Sequence, residues 1–264
     1  KLDGNYPTGT DNVALGDTAL DSVQGGGGYN VAIGLNALTS LTTGDNNVAV
    51  GADTLVNNVQ NKNTAIGHAS LNANDNGYDN TAVGKNSLNK NTGGYGNTAV
   101  GSCASDTNTS GDYNTSIGYA ALFANTTANN NVAVGNVALA TNTTGASNIA
   151  VGSYSLRFNT TGANNVSVGL CSLRANTTAA DNTSIGMNNS YTNTTGNANV
   201  SIGRSAFYSN TTGACNVSVG NESLNANTTA AHNTAVGFQA LNKNTTGCFN
   251  QAVGSFALGC NTEG

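Results

Sequence analysis

The chain has 264 residues and a formal net charge of −5, with only 8% charged residues against about a quarter in an average domain. That length suits one large domain or two ordinary ones. The acidic balance argues against non-specific nucleic-acid binding, which needs a basic surface. Two histidines and thirteen carboxylates leave little material for acid–base catalysis. Glycine supplies 34 residues, proline one and tryptophan none. Such a composition suits a disordered chain as well as an ordered one, so the placement of residues has to decide. No apolar run approaches the roughly 18–20 residues of a membrane helix, and no membrane insertion is expected of this segment. No signal-peptide pattern opens the chain at Lys1, which points to a mature, processed or partial chain.

In chain order, residues 1–11 read as a leading segment or cap, and residues 12–264 as a repeat domain. A pentapeptide recurs fifteen times: Asn, then Val, Thr, Ile or Gln, then Ala or Ser, then Val, Ile or Leu, then Gly. Its asparagines are Asn12, Asn30, Asn47, Asn63, Asn80, Asn97, Asn114, Asn131, Asn148, Asn165, Asn182, Asn199, Asn216, Asn233 and Asn250. The first three intervals are 18, 17 and 16 residues, and every later one is 17. Unit positions are counted from this Asn. A 17-residue unit is too short for a helix pair or a propeller blade and suits one coil of a parallel β-solenoid. The alternating pentapeptide reads as a short strand. Gly at the fifth position reads as a bend.

A second segment, positions seven to eleven, centres on Leu at the ninth, as in Leu55, Leu139 and Leu241. It reads as a second short strand. Asn-Thr-Thr-Gly then closes the coil as a turn. Fifteen coils stacked about 4.8 Å apart predict a rod on the order of 70 Å long. The fourth and ninth positions are expected inside, with the second on the same face as the fourth. The third is always Ala or Ser, and the eighth is Ala, Ser or Thr except at Asn189. These small residues are expected on the opposite face, where they suggest a close subunit interface. The invariant first Asn, and the Asn at position twelve in thirteen coils, read as amide ladders. A carbohydrate-binding Asn row is the alternative.

Asn-Val-Ala-Ile-Gly at 30–34 and Asn-Thr-Ala-Val-Gly at 80–84 and 97–101 resemble the head repeat of trimeric autotransporter adhesins, the YadA-like family. The resemblance covers residues 12–264. It implies an all-β, left-handed parallel β-roll in a homotrimer. Related repeats are also similar to phage and viral tail-fibre shafts. The coil here is longer than the usual adhesin unit, in the Asn-Thr-Thr-Gly turn.

Other chemistry is sparse. Cys248 and Cys260 flank the last repeated strand and are a candidate disulfide. Cys103, Cys171 and Cys215 read as substitutes for small residues. No C-x-x-C spacing suggests zinc. Sixteen Asn-x-Ser/Thr sequons occur, all from Asn108 onward, and eight are the turn itself: Asn125, Asn142, Asn159, Asn176, Asn193, Asn210, Asn227 and Asn244. These are candidate N-glycosylation sites. His68 and His232 occupy different unit positions and share no nucleophile. The Gly25–Gly28 run lacks the Lys-Ser/Thr of a phosphate loop. Arg157 and Arg174 share the tenth position of consecutive coils, a small local basic spot.

No catalytic residue, metal or cofactor is therefore expected, and no enzyme. The leading expectation is an extracellular adhesive rod or fibre shaft on a cell or virion surface, meeting copies of itself and host-surface or matrix glycans or proteins. A self-assembling fibril subunit is a second reading. An ice- or polysaccharide-binding Thr/Asn array is a third. Adjacent threonines such as Thr126 and Thr127 speak against the last, because they cannot both face one sheet surface.

Overall fold

The computed structural model describes residues 9, 11–23 and 26–263; most of the expected 1–11 cap lies outside them. The chain is an all-β parallel solenoid with about 17 residues per turn. It divides into two compact units, residues 1–131 and 132–264. Among the described residues, unit one holds β1 (Val13–Leu15), β2 (Val31–Ile33), β3 (Val48–Val50), β4 (Thr64–Ile66), β5 (Thr81–Val83), β6 (Thr98–Val100) and β7 (Thr115–Ile117). Unit two holds β8 (Val132–Val134), β9 (Ile149–Val151), β10 (Val166–Val168), β11 (Thr183–Ile185), β12 (Val200–Ile202), β13 (Val217–Val219), β14 (Thr234–Val236) and β15 (Gln251–Val253).

Within each unit every strand pairs in parallel with the next, like position against like position. In unit two, Val166 faces Thr183 and Val168 faces Ile185. The irregular intervals do not disturb this. Val13 pairs with Val31 across 18 residues, and Val48 with Thr64 across 16. A slip of one residue would turn each side chain to the wrong face, so length changes are taken up outside the strand. In the short coil the missing residue lies after Asn58. The Asn58 and Asn47 amides both donate to Gln60 O, at 2.9 and 2.8 Å.

The strand faces are the reverse of those expected from the sequence. The third position lies inside: Ala32, Ala82, Ser167, Ser201 and Ala235 are all fully buried. The eighth (Ala37, Ser87, Ala138, Ser172) and the ninth (Leu38, Leu88, Leu139, Leu173) join it. The second and fourth positions are half-buried or exposed in every coil. A 17-residue coil is too narrow for two layers of branched side chains beside Leu. Ala or Ser on one wall, facing Ala or Ser and Leu on the other, fills it. Small residues therefore mark the coil's interior and no subunit contact. Where both facing positions are Ser the hydroxyls bond directly, as Ser172 Oγ does to Ser184 Oγ at 2.8 Å. Ser190 and Phe207 occupy the Leu position in consecutive coils, a short residue followed by a long one, and both are buried.

Among the described residues the expected second strand is absent too, and each coil has one strand of three residues. Positions seven and nine, and the residue before each first-position Asn, carry φ between 45° and 64°. Most of these residues are not glycine, and the ninth is usually Leu. The left-handed conformation costs about 1–2 kcal/mol per residue, so local preference does not select it. Stacking does. Leu156 N–H donates to Ser172 O in the following coil, while Tyr154 N–H donates to Asn136 O in the preceding one, both at 3.0 Å. Alternating φ sends successive amides up and down the stack and keeps the Leu side chain inside. At the fifth position glycine is required. Gly152 has φ +129°, and a Cβ there would lie 2.5 Å from Gly169 O.

Two stability outcomes follow. Leu156→Ala opens a cavity in a fully buried layer and should cost about 3 kcal/mol, read as a lower urea midpoint. Ser201 Oγ is buried with no hydrogen-bond partner. Ser201→Ala, which matches Ala at this position in other coils, should raise stability by about 1 kcal/mol in the same titration.

Candidate functional site

The first-position asparagines form a ladder within each unit. In unit one, Asn97 accepts the Asn114 backbone N–H at 2.9 Å and its Nδ2 at 3.2 Å on one Oδ1. The twelfth-position asparagines form a second. In unit two, Asn176 Nδ2 donates to Asn159 Oδ1 at 2.7 Å, and Asn159 Nδ2 to Asn142 Oδ1 at 2.8 Å. The ladders meet at the carbonyl of position fifteen. Gly162 O accepts both Asn148 Nδ2 and Asn159 Nδ2 at 2.8 Å. In the first two coils Val23 and Leu41 replace the twelfth Asn and are buried in its place. These amides hold the coil closed and present no sugar-binding row.

That geometry also bears on the sequons. Asn125, Asn142, Asn159, Asn176, Asn193, Asn210, Asn227 and Asn244 are all buried. Each is the ladder residue of its coil, so a glycan on its amide would displace the stack. Asn188 and Asn221 are the sequon asparagines outside the buried set.

The turn threonines divide as the sequence suggests. The thirteenth-position hydroxyl bonds the next coil's carbonyl, as Thr160 Oγ1 does to Thr177 O at 3.0 Å. The fourteenth is exposed, from Thr144 through Thr246 in unit two. This is a single exposed file, one residue wide.

All five cysteines are free thiols, Cys248 and Cys260 included; the candidate bridge is not formed. Cys248 Sγ instead accepts the Ala231 N–H at 3.4 Å. His68 stands 3.8 Å from Asp53 on the surface, and His232 stacks on Phe249 with centroids 5.0 Å apart. Among the described residues no cluster of His, Cys, Asp or Glu could hold a metal, and no helix is long and apolar enough to cross a membrane.

The outer sheet face is a candidate surface. Its two files, positions two and four, are Val, Thr or Ile and Val or Ile in nearly every coil. In unit two, Ile149, Ile185, Val200 and Ile202 are each more than a third exposed; Ile66 and Ile117 are so in unit one. Contiguous apolar files of this kind mark interaction surfaces on soluble proteins.

Aromatic columns run beside the coils at the variable positions. In unit one, Tyr78 and Tyr95 stack at 4.8 Å, with Tyr113 edge-on to Tyr95 at 5.1 Å. In unit two, Tyr191 and Tyr208 stack at 5.2 Å, and Arg157 and Arg174 join the column. The Cζ atoms of both arginines lie 4.9 Å from the Phe158 ring centroid. The arginine pair is evident in the sequence; the rings that frame it are not. The signal was Tyr191 and Tyr208 at the same tenth position in the next two coils.

No family model matches this chain, and no curated protein does either.

The ladder is open to a direct test. Asn159→Ala removes two donated bonds and takes one of the two acceptors from the buried Asn176 amide. It should cost about 2 kcal/mol or more in a urea titration.

Proposed function

We propose that this chain is a structural and adhesive protein of an extracellular surface, of a cell or a virion. In this reading it works as a homotrimer of left-handed β-rolls in an adhesin head or fibre shaft. The observation that carries the proposal is the outer sheet face. Two files of β-branched side chains are left half-exposed, coil after coil, while the coil's own core is complete without them. A self-complementary partner is the simplest cover, and closed cyclic assemblies are the common solution for identical chains. The repeated Asn-Val-Ala-Ile-Gly and Asn-Thr-Ala-Val-Gly units support the likeness to trimeric autotransporter adhesins and tail-fibre shafts.

Its work is mechanical. A stack of like coils presents the same surface groups many times at one spacing, so weak contacts to a host-surface or matrix glycan or protein add as avidity. The scarcity of charge fits this construction, since stacked like charges repel. No part of the reading uses a cofactor, a catalytic residue, nucleic acid or a membrane span.

Light scattering under native conditions tests it. The expected solution mass is three times the 26.3 kDa of one chain. Paired Val168→Glu and Ile185→Glu substitutions, on neighbouring strands of the outer face, should return the mass to that of a single chain. The far-UV circular dichroism of the coils should persist. A wild-type monomer would sink the trimer. End-to-end polymers in micrographs would move the reading to a fibril subunit.

A further inference from the structure

The chain's three arginines, Arg157, Arg174 and Arg204, all lie in unit two. There four cations face three carboxylates, whereas residues 1–131 hold four cations and ten carboxylates. Arg157 and Arg174 occupy the same position of adjacent coils, where like charges are disfavoured. Ordinary salt bridges do not relieve them. Neither has an ion-pair partner among the described residues. Asp181 bonds Asn164 and Glu222 bonds Gln239. The two guanidiniums rest on rings instead. Phe158 serves both; Tyr154 lies 5.3 Å from Arg157 Cζ, and Tyr191 lies 5.3 Å from Arg174 Cζ. Arg174 Nη1 also donates to the Tyr191 hydroxyl at 2.9 Å.

Stacking satisfies the face of a guanidinium and leaves its N–H edge unused. Among the described residues the Arg157 guanidinium makes no hydrogen bond, and that of Arg174 makes one. Two forks are thus held side by side with donors to spare, in a frame that limits their freedom. Guanidinium edges match oxyanions bidentately, and an anion between them would relieve their mutual repulsion.

We infer that Arg157 and Arg174 form a binding site for one oxyanion group, a sulfate ester or a carboxylate, carried on an otherwise neutral glycan. The Tyr154, Tyr191 and Tyr208 hydroxyls are the neutral partners for the sugar around it. A dense polyanion such as nucleic acid fits poorly, because its affinity grows with the number of phosphates neutralised and only two cations converge here. The inference rests on the surface-attachment reading for the class of ligand, and on the ring-framed pair for the site. It does not depend on the subunit interface.

Titration calorimetry on the full chain tests it. The probes are a galactose tetrasaccharide carrying one sulfate ester, its desulfated counterpart and the same tetrasaccharide ending in one galacturonic acid. The charged sugars should bind and the desulfated one should not, and the two charged arms identify which oxyanion is preferred. Arg157→Gln or Arg174→Gln should weaken binding about tenfold, and the double variant should abolish it. Arg157→Lys, which keeps the charge and loses the fork, should be intermediate. Urea midpoints and solution mass should not change, which separates loss of the site from loss of fold or assembly. Equal binding of the desulfated sugar would overturn the inference. So would an unaffected double variant, or no binding of either charged probe.

Discussion

An asparagine side chain carries a hydrogen-bond donor and an acceptor on one short stem, and this fold depends on that combination. In each unit the Oδ1 of one coil receives the next coil's asparagine, while Nδ2 reaches a carbonyl of its own coil. Two such ladders converge on the position-fifteen carbonyl, as Asn148 and Asn159 do on Gly162. The turn is closed and the coils are tied by the same groups. Aspartate would lack the donor and would stack charge on charge. Serine would lack the second donor and the reach. The constancy of these positions across the repeats is what a ladder requires, since one vacancy takes an acceptor from a buried amide in the adjoining coil.

The narrowness of the coil follows and governs the rest. Closed at one end by amides, the interior admits Ala or Ser from one wall, and Leu with a second small residue from the other. Leu can face inward because the ninth residue is held at positive φ, against its own preference. The cost recurs in every coil and is borne by burial and by the amide bonds to both neighbours. With the interior full, the β-branched residues of the strand have to face out. The solenoid therefore ends each coil with a complete core and an apolar outer face, and the proposed assembly begins from that surplus.

Away from the ladders and the core, the sequence is free, and its chemistry is local. Columns form wherever consecutive coils carry compatible side chains at one position. The threonines run as a bonded file beside an exposed one. Tyrosines stack in both units. Arg157 and Arg174 are tolerated side by side because Phe158, Tyr154 and Tyr191 take the place of acidic partners. A solenoid can carry a distinct binding feature on a few coils without altering the repeat beneath.

Much of this was legible in the residues alone. The period of 17 set the coil, the alternating pentapeptide set the strand and its register, and the recurring Asn marked where amides would stack. Those features are periodic, and stacking turns sequence period directly into spatial order. Three things were not legible. Alternation separates two faces without saying which is inside, and hydrophobicity pointed the wrong way, because the enclosed volume is a property of the closed coil. The left-handed backbone at Leu139 or Leu156 contradicts local propensity and exists only because neighbouring coils demand it. The ring-framed arginines join side chains at positions seven, ten and eleven, which a closed turn brings together and a linear reading keeps apart. The sequence by itself determined the repeat, its period and the stacking of like on like. The tertiary structure alone decided what faces inward, since that depends on how much room is left once the coil closes.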